Sequence, residues 1–326
     1  CLASRSRQNG YSMRLLLIGC TGLVGRALVP MLQTAGHDLT IVSRRSAPAG
    51  LPASCLAGLA WVQCNPADSI SWAPSSPLQQ ALAQAQGVVN LAGEPIAEKR
   101  WTSTHLQLLE DSRLQTTRQL VKAMADLAQP PAVLINASAV GYYGTSADQC
   151  FEESSPCGND VLAGLCQRWE ALAEEKPDAT RLVVLRIGIV LAADGGALGK
   201  MLPIFRIGFG GPIGTGRQWM SWIERSDLCR MILAAVENDA WSGAVNAVAP
   251  TPVSMATFSA GLGRCLGRPS LLPVPGPLLK LLLGDGARVV LEGQRVQSAR
   301  QAELEFSCRF SELPAAFDAA TSSTGR

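Results

Sequence analysis

Histidine and tyrosine are nearly missing from this chain: its 326 residues hold two histidines, His37 and His105, and three tyrosines, at 11, 142 and 143. Charge is sparse as well. Only 17% of residues are Asp, Glu, Lys or Arg, against about a quarter in an average globular chain. The 28 basic and 26 acidic residues leave a net charge of +2. Without a concentrated basic stretch, a nucleic-acid or anionic-membrane binder is disfavoured. No apolar run reaches the roughly 18 residues that cross a bilayer. Ten cysteines are scattered with no Cys-x-x-Cys pair, and neither histidine stands at ligand spacing from one. No metal site and no disulfide framework is therefore expected, and a reduced, cytoplasmic compartment is the better fit.

One stretch imitates a targeting signal. Arg5, Arg7 and Arg14 precede the apolar run Leu15 to Ile18, which ends in Gly19-Cys20. That run is short and leads straight into a glycine pattern with a better use, so no signal peptide is read. Met13 is taken as the start, and residues 1–12 as an upstream or disordered extension.

Apolar residues make up 47% of the chain, ample for a core, and the length suits one large or two fused domains. Strands are expected at Arg14–Ile18, Leu39–Val42, Leu59–Val62, Gly87–Leu91, Val133–Ala137 and Leu182–Leu191. Helices are expected from the glycines to about Ala35, and near Leu78–Ala85, Leu106–Leu127 and Val161–Glu175. This alternation predicts an α/β fold, a doubly wound parallel sheet with right-handed crossovers. After Leu191 glycine becomes dense. Short strands follow near Trp219–Ile223 and Ala244–Val248, and a last helical segment runs from Leu278 to about Leu291. The expected division is a nucleotide-binding domain over 13–192, to which later strands can return, a smaller α/β substrate-side segment over 193–270, and a short helical domain over 271–320.

Gly19-Cys20-Thr21-Gly22-Leu23-Val24-Gly25 lies between the first strand and the first helix. The first glycine suits a tight turn, the second a close approach of backbone N–H groups to a pyrophosphate, and the third the packing of helix on sheet. A helix N-terminus favours an anion there. An ordinary glycine-rich turn is the plain alternative, but strand before and helix after favour a Rossmann-type dinucleotide site. An NAD site usually ends its second strand in Asp or Glu. Here it ends Val42-Ser43-Arg44-Arg45, which fits a 2′-phosphate and hence NADP(H), with two solvated surface arginines as the alternative.

These residues, with Asn90-Leu91-Ala92-Gly93 after the fourth strand and Ser138 past the fifth, resemble the extended and atypical short-chain dehydrogenases/reductases. More narrowly, the strings Asn90–Ile96, Asp111–Arg113, Ser138–Gly144, Asp194–Ala197, Gly210–Gly214, Gly216–Trp219 and Gly293–Arg295 resemble the NAD-dependent epimerase/dehydratase-like group with a short C-terminal domain of unknown function. Some members of that group are labelled cell-division inhibitors, one of them of plastids, which would make a stromal location the counterpart of a cytoplasmic one. The resemblance implies that Ser43, Arg44, Leu91, Ala92 and Arg113 touch the cofactor beside the glycine loop. For Arg113 a surface salt bridge with Glu110 is an equal alternative. The group usually carries His where this chain has Glu224.

Short-chain dehydrogenases resemble one another in using Ser, Tyr and Lys, the lysine lowering the tyrosine pKa. No Tyr-x-x-x-Lys occurs here, and the corresponding helix reads Val161-Leu162-Ala163-Gly164-Leu165-Cys166. A tyrosine left at about pKa 10 rather than about 7 needs roughly 4 kcal/mol more to reach phenolate at neutral pH. Ser138, Tyr142 and Tyr143 remain the candidates at the substrate, with packing and turn formation as the tyrosines' structural alternative. Trp101, Trp169, Trp219 and Trp222 are expected to fill a domain interface rather than stack on a ligand, although the Arg217-Gln218-Trp219 stretch, after a glycine-rich loop, is the best candidate for a substrate-side contact. Two functions follow as expectations. One is an NADP(H)-dependent oxidoreductase or epimerase acting on a small molecule. The other is a non-catalytic NADP(H)-binding regulator that meets a protein partner or a second copy of itself.

Overall fold

The computed structural model describes residues 12–46, 51 and 55–322, so the expected N-terminal extension lies, but for Ser12, outside the described residues. The chain begins β1 (Arg14–Ile18), α1 (Gly25–Thr34), β2 (Asp38–Ser43), β3 (Ala60–Gln63), α2 (Pro77–Gln84), β4 (Gly87–Asn90), α3 (Ser103–Ala125) and β5 (Val133–Ala139). A 3-10 turn (Val140–Tyr143) and β6 (Cys150–Phe151) lead to α4 (Val161–Glu174), β7 (Arg181–Ile187), β8 (Ile189–Leu191) and α5 (Gly196–Arg206). There follow β9 (Trp219–Met220), β10 (Trp222–Glu224), α6 (Arg225–Glu237), β11 (Gly243–Ala247), β12 (Val253–Ser254) and α7 (Met255–Cys265). The last elements are α8 (Gly276–Leu283), α9 (Arg288–Leu291), β13 (Arg295–Val296), α10 (Arg300–Glu303) and α11 (Leu313–Ser322). Among the described residues no helix is long and apolar enough to cross a membrane.

Seven strands form a central sheet in the order β11-β7-β5-β4-β1-β2-β3, and every ladder in it is parallel. The chain leaves β1 toward β2 and β3 on one side, then returns to β4 and continues outward on the other. The order therefore reverses between β1 and β4, the point where such sheets open a crevice beyond their carboxyl ends. Both faces are covered, which is why these strands read as apolar runs rather than alternating ones. Side chains still alternate in space. Leu15 and Leu17 pack with Leu28 and Leu32 of α1 and Met231 and Ile232 of α6. Leu16 and Ile18 face Leu78 and Leu82 of α2 and Leu120 and Met124 of α3.

A further core, away from the sheet, joins α5, α7 and α11 through Leu202, Phe205, Phe258 and Phe317, with Trp222 beneath them. Asp194, at the start of this unit, ties it back to the glycine-loop helix. Its carboxylate takes Arg225 Nη1 at 2.6 Å and lies 3.2 Å from Arg26 Nη2. Partial burial alone would raise its pKa, but the hydrogen bond and charge of Arg225, with Arg26, outweigh this and hold it below 3.8. A carboxylate depressed in the folded state stabilises above its unfolded pKa and loses that contribution as pH falls through its folded one. Asp194→Asn is expected to cost about 0.5–1 kcal/mol at pH 7, the modest scale of a partly exposed bridge. Urea titrations of the two proteins should converge only below about pH 4.

Three expectations are corrected. The long strand Leu182–Leu191 breaks at Gly188, where a Cβ would lie 2.6 Å from the Ser221 carbonyl oxygen. Beyond it β8 leaves the central sheet and pairs with β10. The strand at Trp219–Ile223 divides at Ser221 into β9 and β10. The helix Leu278–Leu291 breaks at Gly284, whose φ of +58° cannot continue a right-handed helix. Strand β11, one of the later strands that can return to the nucleotide-binding sheet, forms an edge of it.

Candidate functional site

The three glycines of the loop do different work. At Gly19, with φ +77°, a Cβ would sit 2.5 Å from the Ala92 nitrogen, and at Gly25 it would sit 2.0 Å from the Cys20 oxygen. Those two are required by packing against β4 and under α1. Gly22 is different, because a Cβ there would meet only the Gly19 oxygen at 3.7 Å. It is exposed and borders a cavity of about 740 Å³. Helix α1 starts at Val24 without a side-chain cap, so its first N–H groups have no side-chain acceptor. Leu23 packs beside Gly195 and Gly196, and its carbonyl accepts weakly from Arg225 at 3.5 Å. Val24 O accepts the N–H groups of Ala27 and Leu28.

The same cavity is lined by Thr21 and by Ser43, Arg44 and Arg45 at the end of β2. Ser43 Oγ accepts the Arg45 N–H at 3.1 Å and so shapes this corner. Arg44 is 66% exposed and 3.7 Å from a Glu94 oxygen, a loose pair that leaves its guanidinium available. Asn90 is buried and does not line the cavity. Its Nδ2 donates to Asn136 Oδ1 at 2.8 Å and Thr117 Oγ1 at 3.1 Å, and its Oδ1 accepts the Ala92 N–H at 3.2 Å. That places Leu91-Ala92-Gly93, the wall shared with a second cavity of about 400 Å³.

Arg113 lines this second cavity and is not paired with Glu110, which bridges Arg168 instead. Its guanidinium donates to the carbonyls of Leu109 at 3.0 Å and Glu94 at 2.9 Å, and lies 5.4 Å from the Trp169 ring centre. Ser138 is not past the fifth strand but within its carboxyl end, in register with Arg186 of β7; it also lines the cavity, and its hydroxyl donates to Glu170 Oε1 at 2.6 Å. Glu170 in turn is held by Arg186, Nε at 3.0 Å and Nη2 at 2.8 Å. The tyrosines sit behind this pair. Arg186 stacks 3.5 Å from the ring centre of Tyr142 and donates to the Tyr143 hydroxyl at 2.9 Å. That hydroxyl donates to Asn246 Oδ1 at 2.6 Å, and burial pushes its pKa up to about 12 against the pull of Arg186. Burial, opposed by Arg186, also raises the Tyr142 phenol.

On α4, the helix after β5 that carries no Tyr-x-x-x-Lys, Leu162 and Cys166 line the cavity four residues apart. Burial, then Glu170, pushes the Cys166 thiol up to about 12, so it stays protonated at neutral pH. Glu224, where the resemblance leads one to expect His, caps α6 by accepting from Ser226. Glu153 ties the Asn246 and Ala299 N–H groups together, a structural task. Among the described residues no group of three or more His, Cys, Asp or Glu could hold a metal.

Sequence reasoning missed much of the second cavity. Trp101 and Trp169 line it rather than filling an interface, as does Trp219 of the stretch offered as a substrate-side contact, while Trp222 is buried with its N–H on the Thr251 carbonyl. Asp160, Arg288, Glu292 and Gln294 complete the wall. The only sequence hint to the last of these is the Gly293–Arg295 string, and Gly293 is needed because a Cβ would lie 2.0 Å from the Trp219 oxygen. An open middle glycine, a helix start without a side-chain cap, an exposed arginine held only loosely by Glu94 at the β2 end and a shared wall leading to Ser138 together fit a dinucleotide with its reactive end in the smaller cavity.

Residues 15–247 match the model of the NAD dependent epimerase/dehydratase family, and residues 274–320 match a domain of unknown function, DUF1731. The chain is 39% identical to the Arabidopsis thaliana epimerase family protein SDR39U1 homolog, chloroplastic, over 94% of this chain and 86% of that one. It is 37% identical to the Homo sapiens epimerase family protein SDR39U1, over 93% and 98%. These names mention no cell division. The crystal structure of the human protein (isoform 2) with NADPH superposes with a TM-score of 0.85 at 36% identity, over 95% of this chain and 99% of that one. Bordetella bronchiseptica WbmG, solved with NAD and UDP, shares the fold at a TM-score of 0.75, with 16% identity and 96% of each chain covered. A match across most of the sheet, with relatives this similar along nearly the whole length, makes this chain a member of the NAD dependent epimerase/dehydratase family.

Proposed function

We propose that the chain is an NADP(H)-dependent oxidoreductase or epimerase acting on a small molecule. Gly19, Thr21 and Gly22, with the start of α1, would hold the pyrophosphate, Ser43, Arg44 and Arg45 the 2′-phosphate end, and Leu91 to Gly93 with Arg113 the other half. Bound there, the dinucleotide supplies or accepts a hydride at its nicotinamide ring. The chain's own part is to exclude water and orient. Ile187 and Ile189, from the sheet edge, and Leu162, Leu165 and Trp169 of α4 make an apolar chamber around Ser138. Ser138, with its proton committed to Glu170, presents oxygen lone pairs that can accept from a substrate hydroxyl. Tyr142 and Tyr143 support this arrangement through Arg186 and take no proton in the proposal.

The observation that carries the proposal is the open face of Gly22 leading from Arg44 at one end to Ser138 at the other. The NADPH bound by the human relative supports the choice of dinucleotide. A charge-assisted bond from Arg44 contributes about 1.5–3 kcal/mol, tenfold or more in affinity. Arg44→Asp is therefore expected to lower NADPH affinity by about tenfold or more while NADH affinity is nearly unchanged, read by nicotinamide fluorescence. An unchanged NADPH to NADH ratio would refute the assignment.

A further inference from the structure

We infer that the smaller cavity takes a compact, uncharged ligand with an aromatic or aliphatic body, and rejects nucleoside diphosphates. This rests on the reading of that cavity as the substrate side. Its walls are Leu, Ile, Val and Trp side chains, from Ile96 and Trp101 on one side to Trp219 and Val289 on the other. At about 400 Å³, shared with the reactive end of the dinucleotide, it is near the small end of ligand sites, which run from roughly 300 to 1,000 Å³.

Several polar groups in the wall are already engaged. Arg113 has its two terminal nitrogens on backbone carbonyls. Arg288 is forked onto Glu292 at 3.0 and 3.1 Å, and Thr145 donates to the same carboxylate. Ser221 donates to the Gln294 carbonyl and accepts the Val296 N–H, both at 2.9 Å. The Trp219 N–H goes to the Ala147 carbonyl at 2.7 Å. Asp160, whose Oδ1 accepts the Ala163 N–H, adds negative charge, while that of Glu292 is balanced by Arg288. A diphosphate entering here would shed water, meet the Asp160 carboxylate, and compete for each guanidinium with partners it already holds, two backbone carbonyls at Arg113 and Glu292 at Arg288. Desolvating an anion without a partner is among the costliest events in a protein interior. An uncharged ring or chain meets the opposite case, since the tryptophans and leucines gain by covering it. A single oxygen on such a ligand can reach Ser138, which keeps acceptor capacity while bound to Glu170.

The three tryptophans in the wall give the readout. Saturable quenching of tryptophan fluorescence by 4-bromoacetophenone is expected, with half-saturation about tenfold or more below that of UDP-glucose or UDP-glucuronic acid. Val161, 54% exposed at the start of α4 and in the cavity wall, can carry a new charge without disturbing the core. Val161→Arg should weaken the ketone about fivefold or more while the variant unfolds at the same urea concentration. Either UDP-sugar binding as tightly as the ketone, or no saturable quenching by the ketone, overturns the inference. The titrations are run with and without NADPH. Nicotinamide fluorescence reports failure of the dinucleotide reading, and tryptophan quenching separately reports failure of this one.

Discussion

Gly22→Asp is expected to abolish dinucleotide binding without weakening the fold, whereas Gly25→Ala is expected to weaken the fold itself. The two glycines are three residues apart in one loop, so the contrast isolates geometry from composition. At Gly22 a new side chain meets nothing of the protein closer than the Gly19 oxygen at 3.7 Å, and it points into the larger cavity. A carboxylate there would face the pyrophosphate. Two like charges about 4 Å apart, at an effective dielectric of about 20, repel by roughly 4 kcal/mol, which is nearly a thousandfold in affinity. At Gly25 even a methyl group would lie 2.0 Å from the Cys20 oxygen, so the α1 start must move off the sheet. Overpacking of this kind costs about 1–3 kcal/mol and more where backbone must shift. Urea midpoints and NADPH titrations of both variants check the pair. Retained NADPH binding in Gly22→Asp would exclude a pyrophosphate at this loop.

Glu170→Ala is expected to be the most destabilising single change behind the site. Arg186 is 5% exposed and its fork closes on Glu170, so removing the carboxylate strands a buried guanidinium. Breaking one partner of such a pair typically costs about 3–5 kcal/mol. The double variant Glu170→Met with Arg186→Met should recover a large part of this, because two apolar side chains replace two charges of similar bulk. A coupling of about 2–3 kcal/mol is expected from the cycle of Glu170→Met, Arg186→Met and the double variant, at the upper end for residues in contact. Strictly additive losses in urea unfolding would show that the pair is not coupled. Both Glu170 variants also release Ser138, whose hydroxyl then loses its acceptor and its fixed direction.

The distribution of what was legible follows the distance along the chain over which each signal acts. The glycine loop is legible because seven consecutive residues between a strand and a helix carry all of its geometry. The second-strand arginines and the absent Tyr-x-x-x-Lys are legible for the same reason. The parallel sheet is legible through its apolar runs. Gly188 and Gly284 read as ordinary residues within longer elements, since only their neighbours, Ser221 at Gly188 and the Arg100 side chain near Gly284, reveal the breaks.

By itself, then, the sequence determined the βαβ crevice, the paired arginines that stand without an acid at the end of β2, and the absence of a Tyr-x-x-x-Lys pair. The tertiary structure alone decided which side chains face the smaller cavity. Residues 288–294 close over α4, and Glu170 meets Arg186 and Ser138, because the sheet order brings β5 beside β7 and the C-terminal unit over their carboxyl ends. Such contacts join residues 16 to more than 100 positions apart, where no local periodicity or motif spacing reaches, and only packing selects the partners.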